Sequence, residues 1–374
     1  VLEAIKRQVD ELCYAGPTIV TTPKAVLGKK LAEISGLAKS FYCLSGTEAN
    51  ESAMKIARLV TGRNKIITRY RSYHGDTMGS MSASGDFRRW PVEPGIPGIV
   101  RVFDPYCYRC PFGKTVDTCR RECVSHIEEV IQMEGPQNIA AMLAEGITGT
   151  NGLLVPPDDY WPKVRALLDK YDILLIDDEV MAGFGRTGKW LATQHYGIKP
   201  DMVTCAKGLT SSLMPLGAVI VSQKIADFME DHMLWTGLTG AGHPVCCAAG
   251  IACLNVYEEE RIFDNVAKQG AYLAERLEVM RATHPCVGDV RYKGLFSMVE
   301  LVRDKATKEP LAPYGGTSPE MAALAAHFRK RYLYTYSRFN LFFIAPPLVI
   351  TEDELEYGLD IVEEALTEID RMLA

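Results

Sequence analysis

Four short segments carry residue types that could do chemistry together. Ser45-Gly46-Thr47-Glu48-Ala49-Asn50 opens an amphipathic helical pattern. Small residues let a ligand approach the backbone, and free N–H groups at a helix start favour an anion, most simply a phosphate. The segment also reads as an ordinary cap, with Thr47 capping Asn50 or Glu51. Tyr73-His74-Gly75 follows an apolar run, where an aromatic ring can stack on a planar ligand. A plain turn with a surface histidine is the alternative. Asp178-Glu179-Val180 follows the strand-like run Ile173-Leu174-Leu175-Ile176-Asp177 and precedes Gly183-Phe184-Gly185-Arg186-Thr187-Gly188. A carboxylate there can bind a metal, act as a base or pair with a cationic ring nitrogen; a cap or an ion pair with Arg186 is the structural alternative. Lys207, in Thr204-Cys205-Ala206-Lys207-Gly208-Leu209, closes another apolar run. Burial would penalise its cation and leave a free amine able to attack a carbonyl. A lysine snorkelling from a strand end is the plainer reading.

These segments need elements to hold them. Residues 66–68, 140–144, 173–177, 202–206 and 217–221 read as strands, and 48–60 and 161–171 as helices. Continuous apolar strands alternating with helices imply a parallel sheet covered on both faces, with active groups at the strands' carboxyl ends. Beyond about residue 255 the texture changes. Helical patterns cover 262–283, 319–332 and 352–373, with strand signals at 287–292 and 295–302, which reads as a smaller α+β domain. The Pro- and Gly-containing stretch 84–101 reads as a loop over the large domain. The expected division is a linking helix over 1–14, a large domain over 15–258 and a small C-terminal domain over 259–374.

Composition bounds the answer. The 374 residues are 47% hydrophobic and 24% charged, ordinary for a globular chain. A formal charge of −6 argues against a dedicated nucleic-acid binder. No run of eighteen apolar residues suggests a membrane span, and no basic-then-apolar leader opens the chain. The 11 cysteines are an odd number, many in apolar runs, which favours a reducing cytoplasm over a disulfide framework. The chain opens on Val1 inside a helical pattern, so an upstream segment is expected.

Taken together, an anion cradle, a stacking aromatic, a carboxylate and an amine are the set that pyridoxal phosphate needs. In these four segments, and in Pro215-Leu216-Gly217-Ala218, Thr239 with Gly242-His243-Pro244, and Ala345-Pro346-Pro347-Leu348, the chain resembles the class III, omega-amino-acid type aminotransferases of fold type I, closest to the taurine and β-alanine type. The resemblance implies an α/β large domain with a mostly parallel seven-stranded sheet between helices, plus the small domain. It implies that Lys207 links covalently to the cofactor and later moves the proton. Asp178 would keep the pyridine nitrogen protonated, Val180 and Tyr73 would cover the two ring faces, and Gly46 and Thr47 would donate to the phosphate. Thr239 would reach the phosphate of a neighbouring subunit, so a homodimer is expected, with a tetramer open. Glu145 would act as a gate or hydrogen-bond partner, with His74 in support. No metal is required. The implied reaction passes an amino group from a donor to a 2-oxoacid.

Three details refine this expectation. Met181 stands where ornithine- and aminobutyrate-type members commonly carry glutamine, which resembles the omega-amino-acid branch. Arg338 precedes Ala345-Pro346-Pro347-Leu348 and is the nearest fork for a carboxylate or sulfonate, displaced by about two positions from the family's site; a surface loop arginine is the alternative. The spacing Cys107-x2-Cys110-x8-Cys119-x3-Cys123 matches four zinc thiolates as a bare pattern, yet a loop held by packing or a reversible disulfide is the expected reading.

Overall fold

The computed structural model describes all 374 residues. They divide into two compact units, one comprising residues 1–185 and 189–260, the other 186–188 and 261–374. The first contains α1 (Leu2–Leu12), α2 (Thr22–Ser35), α3 (Gly46–Thr61), α4 (Met78–Ala83), α5 (Glu122–Glu134), α6 (Tyr160–Lys170), α7 (Gln223–Asp231) and α8 (Pro244–Glu259). Its strands are β1 (Lys39–Cys43), β2 (Lys65–Arg69), β3 (Ile99–Val102), β4 (Ile139–Ala144), β5 (Leu174–Asp178), β6 (Met202–Cys205) and β7 (Gly217–Val221).

These strands form one seven-stranded sheet in the order β1-β7-β6-β5-β4-β2-β3. The pairs from β6 through β3 are parallel. β7 runs antiparallel to both β6 and β1. A wholly parallel sheet would need a crossover helix between β6 and β7. Residues 206–216 hold only the 3-10 turn Lys207–Leu209, so the chain doubles back instead. β4 and β5 are buried along their whole length, as strands covered on both faces must be. α3 supplies much of that cover, burying Ala49, Ala53, Met54, Ile56 and Ala57 against residues of β2, β4 and β5 such as Ile66, Ala141 and Ile176.

Residues 84–101 are not simply a loop. They include the 3-10 segment Phe87–Val92 and most of β3, which pairs with β2. Prolines and glycines on either side mask this four-residue strand.

The second unit holds α9 (Ile262–Thr283), α10 (Pro319–Lys330) and α11 (Glu352–Leu373). Its strands are β8 (Val287–Lys293), β9 (Phe296–Asp304), β10 (Glu309–Pro310), β11 (Ser337–Arg338) and β12 (Leu341–Ile344), an antiparallel sheet centred on β9. A capping box between Thr351 and Glu354 starts α11, satisfying two helix-end N–H groups reciprocally. No helix is long and apolar enough to cross a membrane.

Candidate active site

Four neighbouring strands deliver the site. Asp178 is the last residue of β5 and only 2% exposed. Its Oδ2 accepts Asn50 Nδ2–H at 2.8 Å and lies 2.8 Å from His74 Nδ1, while Oδ1 accepts the Val180 N–H at 3.0 Å. Asn50 Nδ2 also donates to the His74 carbonyl at 2.7 Å, and Thr204 Oγ1 donates to Asn50 Oδ1 at 2.7 Å. This network ties α3, the loop after β2, β5 and β6 to one carboxylate. His74 is therefore no surface residue; it is buried, with Nε2 lacking a hydrogen-bond partner.

Lys207 stands at the neighbouring strand end. Asp178 lies opposite Thr204 in the parallel register, and the Glu179 N–H donates to the Thr204 carbonyl at 2.9 Å. Lys207 follows Thr204 by three residues. Adjacent strands run about 4.8 Å apart, so its backbone leaves the sheet close to Asp178. The side chain is exposed, contrary to the expected burial. The 3-10 turn lifts it off the sheet end. Its backbone is left-handed, φ +40°, a conformation that a lysine adopts only where surroundings impose it.

The anion cradle is the start of α3. Ser45 Oγ accepts the Glu48 N–H at 3.3 Å, and Glu48 Oε2 accepts the Leu44 N–H at 2.7 Å. Ser45, not Thr47, is thus the cap. The N–H groups of Gly46 and Thr47 lie at the positive end of a sixteen-residue helix, in the turn where intrahelical partners are lacking. A Cβ on Gly46 would stand 2.7 Å from Val180 Cγ1, so only glycine fits. Thr47 Oγ1 accepts the Asp76 and Thr77 N–H groups at 3.1 and 3.2 Å, which pins the Tyr73-His74-Gly75 loop to the helix start.

Glu145 follows β4 and is 4% exposed. Its Oε1 accepts the Tyr73 N–H at 3.3 Å and Oε2 the Gly149 N–H at 2.6 Å. Burial pushes this carboxyl up to about 7; His74 opposes the shift and Asp178 reinforces it. On the other face of β5, Asp177 and Glu179 form a second buried acidic pair. Thr193 Oγ1 donates to Asp177 Oδ2 at 2.6 Å, and the Thr193 N–H to Glu179 Oε1 at 3.1 Å. Burial is the main cause raising both carboxyls; the Glu179 charge raises Asp177 further, and the Asp178 charge raises Glu179.

The remaining sequence candidates fall on other segments. Thr239 is exposed, its carbonyl accepting the Tyr14 hydroxyl at 3.2 Å. Arg338 is not a surface loop residue: it is 8% exposed, in β11 of the second unit, its guanidinium 4.9 Å from the Phe339 ring centre. Arg186 donates to the Leu295 and Pro346 carbonyls at 3.0 and 2.6 Å within the second unit. All eleven cysteines are free thiols. Cys107, Cys110, Cys119 and Cys123 line one void of about 20 Å³, but no three side chains converge as a metal ion requires. Asn50, Thr204 and Ser45 carry roles that sequence reasoning did not assign. Asn50 was detectable: it is a polar residue on the face of α3 that carries Ala49, Ala53 and Ala57.

A helix-start cradle that excludes any Cβ, a buried carboxylate with a prebuilt donor network and an amine at the next strand end fit pyridoxal phosphate by shape and by donor set. The class so defined is the pyridoxal-phosphate transferases of fold type I. This chain belongs to the class-III aminotransferases, whose family model matches residues 1–366. It is 36% identical to a diaminobutyrate–2-oxoglutarate transaminase of Halomonas elongata, across 99% of this chain and 82% of the relative. It is also 36% identical to a leucine/methionine racemase of Thermococcus litoralis, across 99% and 83%. Among solved structures, the taurine:2-oxoglutarate aminotransferase of Bifidobacterium kashiwanohense, in complex with pyridoxal phosphate and glutamate, is 42% identical. It superposes with a TM-score of 0.96 over 100% of this chain and 85% of that one. The chain is a pyridoxal-phosphate-dependent aminotransferase.

Proposed function

We propose that this enzyme moves the amino group of an omega-amino acid, taurine, β-alanine or a similar donor, to pyruvate or 2-oxoglutarate in two half-reactions of ping-pong form. The observation that carries the donor class is Met181. Its Sδ would meet a Cβ on Gly149 at 2.4 Å, so the thioether fills the space beside the Glu145–Gly149 hydrogen bond and offers no donor there. The similarity to the taurine:2-oxoglutarate enzyme supports the same reading.

When bound, pyridoxal phosphate supplies an electron sink and a carbon that exchanges nitrogen with the donor. The chain's residues do the rest. Gly46 and Thr47 hold the phosphate through their N–H groups. Asp178, braced by His74 and Asn50, keeps a proton on the ring nitrogen. Val180 and Tyr73 pack the two ring faces, and Glu145 fixes the Tyr73 backbone as a gate to the ring edge. Lys207 Nζ would anchor the cofactor between turnovers and would be the base that takes up and returns the substrate proton. Arg338 is the fork for the donor's acid group, and Thr239 completes the phosphate site of a partner in a homodimer, as a dimer or a pair of dimers. The cysteine usage fits a cytoplasmic enzyme.

The test is a donor panel (taurine, β-alanine, 4-aminobutyrate, ornithine, 2,4-diaminobutyrate) against both oxoacids, followed by product analysis. Taurine or β-alanine should lead by about tenfold or more in kcat/KM, roughly the discrimination that one or two specific contacts supply. A lead by 4-aminobutyrate, ornithine or diaminobutyrate would instead support the second reading, an aminobutyrate- or ornithine-type enzyme, favoured by the Halomonas relative. Carbon dioxide release or a rearranged amine without oxoacid consumption would point to a lyase or mutase on the same fold.

A further inference from the structure

The 3-10 segment Phe87–Val92 brings Arg88 onto the ring of Tyr73. The guanidinium carbon lies 3.4 Å from the ring centre, well inside the ~6 Å range of a cation–π contact. This is no loose surface cation. Arg88 Nε donates to both carboxylate oxygens of Asp86 at 3.0 Å, and Nη2 donates to Asp86 Oδ2 at 2.7 Å and to Thr150 Oγ1 at 3.1 Å. The Asp86 side chain is fully buried, and its Oδ1 also accepts the Arg88 N–H at 2.7 Å. A bidentate pair of this kind fixes the guanidinium plane as well as its position. Tyr73 is thus held twice: its N–H by Glu145, its ring face by Arg88.

The same geometry argues against Arg88 as a substrate fork. Its Nε and Nη2 already serve Asp86, and that buried carboxylate balances its charge. An acid group on a substrate would have to displace the bond rather than join it.

We propose that Arg88, locked by Asp86, is a positioning residue that clamps the Tyr73 ring from one face so that the opposite face is presented flat to the cofactor. This rests on the reading of Tyr73 as the ring cover. The stack then runs guanidinium, phenol, pyridine ring, and its rigidity comes from the buried Asp86.

A double-mutant cycle on the holoenzyme and on the resolved apoenzyme tests it. The paired change Asp86→Asn with Arg88→Gln removes the clamp without stranding a buried charge, and Arg88→Lys keeps a cation but loses the fork. The paired change should weaken cofactor binding about 2- to 30-fold, the range of one cation–π contact. It should also shrink the visible circular dichroism of the bound cofactor, with the far-ultraviolet spectrum retained; Arg88→Lys should fall between it and the wild type. In a Tyr73→Ala background the paired change should alter affinity by less than about twofold. An undiminished effect in that background overturns the proposal, because Arg88 then acts by another route. A paired change and an Arg88→Lys variant with wild-type affinity and dichroism also overturn it, while Tyr73→Ala still weakens binding. If Tyr73→Ala itself leaves both readouts unchanged, the reading of Tyr73 fails first and the clamp falls with it.

Discussion

Lys207 and Asp178 occupy adjacent strand ends with different protections. Asp178 is enclosed by His74, Asn50 and the Val180 N–H, whereas Lys207 stands exposed on a left-handed residue. Removing each should therefore fail differently. Lys207→Ala leaves the fold intact and should lower turnover by about a thousandfold or more, as loss of a group acting on the reacting atoms does, and abolish the absorbance of covalently held cofactor. Multiple turnover at more than a few per cent of the wild-type rate would sink the assignment. Glu145 offers a second test at this scale. Burial holds its carboxyl at about 7 in the folded protein, above the ordinary glutamate value of about 4.5. A carboxyl raised on folding stabilises fully below its unfolded value, and that contribution is lost as pH rises through the folded value. The window is therefore about pH 4.5 to 7. Glu145→Gln cannot ionise, so the melting temperature of its apoenzyme should gain on the wild type steadily across that window, whatever its absolute offset from the lost N–H acceptor. A constant difference between pH 5 and 8 would show that Glu145 carries no such penalty.

At the scale of elements, the site depends on how closely α3 approaches the loop after β5. Gly46 permits that approach: an added Cβ would lie 2.7 and 2.9 Å from the two Val180 methyl carbons. Gly46→Ala should cost about 1–3 kcal/mol of stability through overpacking and loosen the cofactor by about tenfold. Val180→Ala added to it should restore most of the stability, read as the midpoint of urea unfolding; no recovery would place the strain elsewhere. The long elements were legible from the sequence because their patterns ran long enough to show a period. α9 and α11 match their expected limits of 262–283 and 352–373, and β4 through β7 were visible as apolar runs. β1 was not assigned, because Lys39-Ser40-Phe41-Tyr42-Cys43 is a mixed five-residue edge strand. β3 was hidden among prolines and glycines. The antiparallel sense of β7 depends on the chain length after β6 rather than on the residues of β7 themselves. At the site, hydrogen bonds join the segments around Asn50, His74 and Asp178, but the cross-element bonds of Asn50, Thr204 and Arg88 were out of reach. Each joins residues far apart in sequence, and no local pattern encodes its partner.

At the scale of the molecule, the charge is divided unevenly between surface and interior. The net charge is −6, yet the first unit also buries Asp104, Glu145, Asp177 and Glu179, all raised above ordinary carboxyl values with burial as the largest cause. Arg69, itself fully buried, offsets one of them, with Nε 3.7 Å from Asp104 Oδ1. The Asp177–Glu179 pair has no cation; its donors are the Thr193 hydroxyl and N–H. Such a pair is comfortable only while it shares a proton. Both folded values lie above the unfolded ones, so the pair's contribution is complete in acid and is lost as pH rises through the folded values. The stability of this unit should thus decline toward alkaline pH, opposite to the trend set by carboxylates held in surface ion pairs. Asp177→Asn keeps an acceptor for Thr193 and gives Glu179 an amide donor in place of a shared proton. It should stabilise the apoenzyme by about 1–3 kcal/mol at pH 8.5, the scale on which replacing buried charge acts, and by much less at pH 5.5. The measurement is urea unfolding at both pH values, with the slope m checked for constancy so that a midpoint shift reports stability alone. Equal shifts at the two pH values would mean that the pair does not share a proton and that its burial is balanced by Thr193 alone.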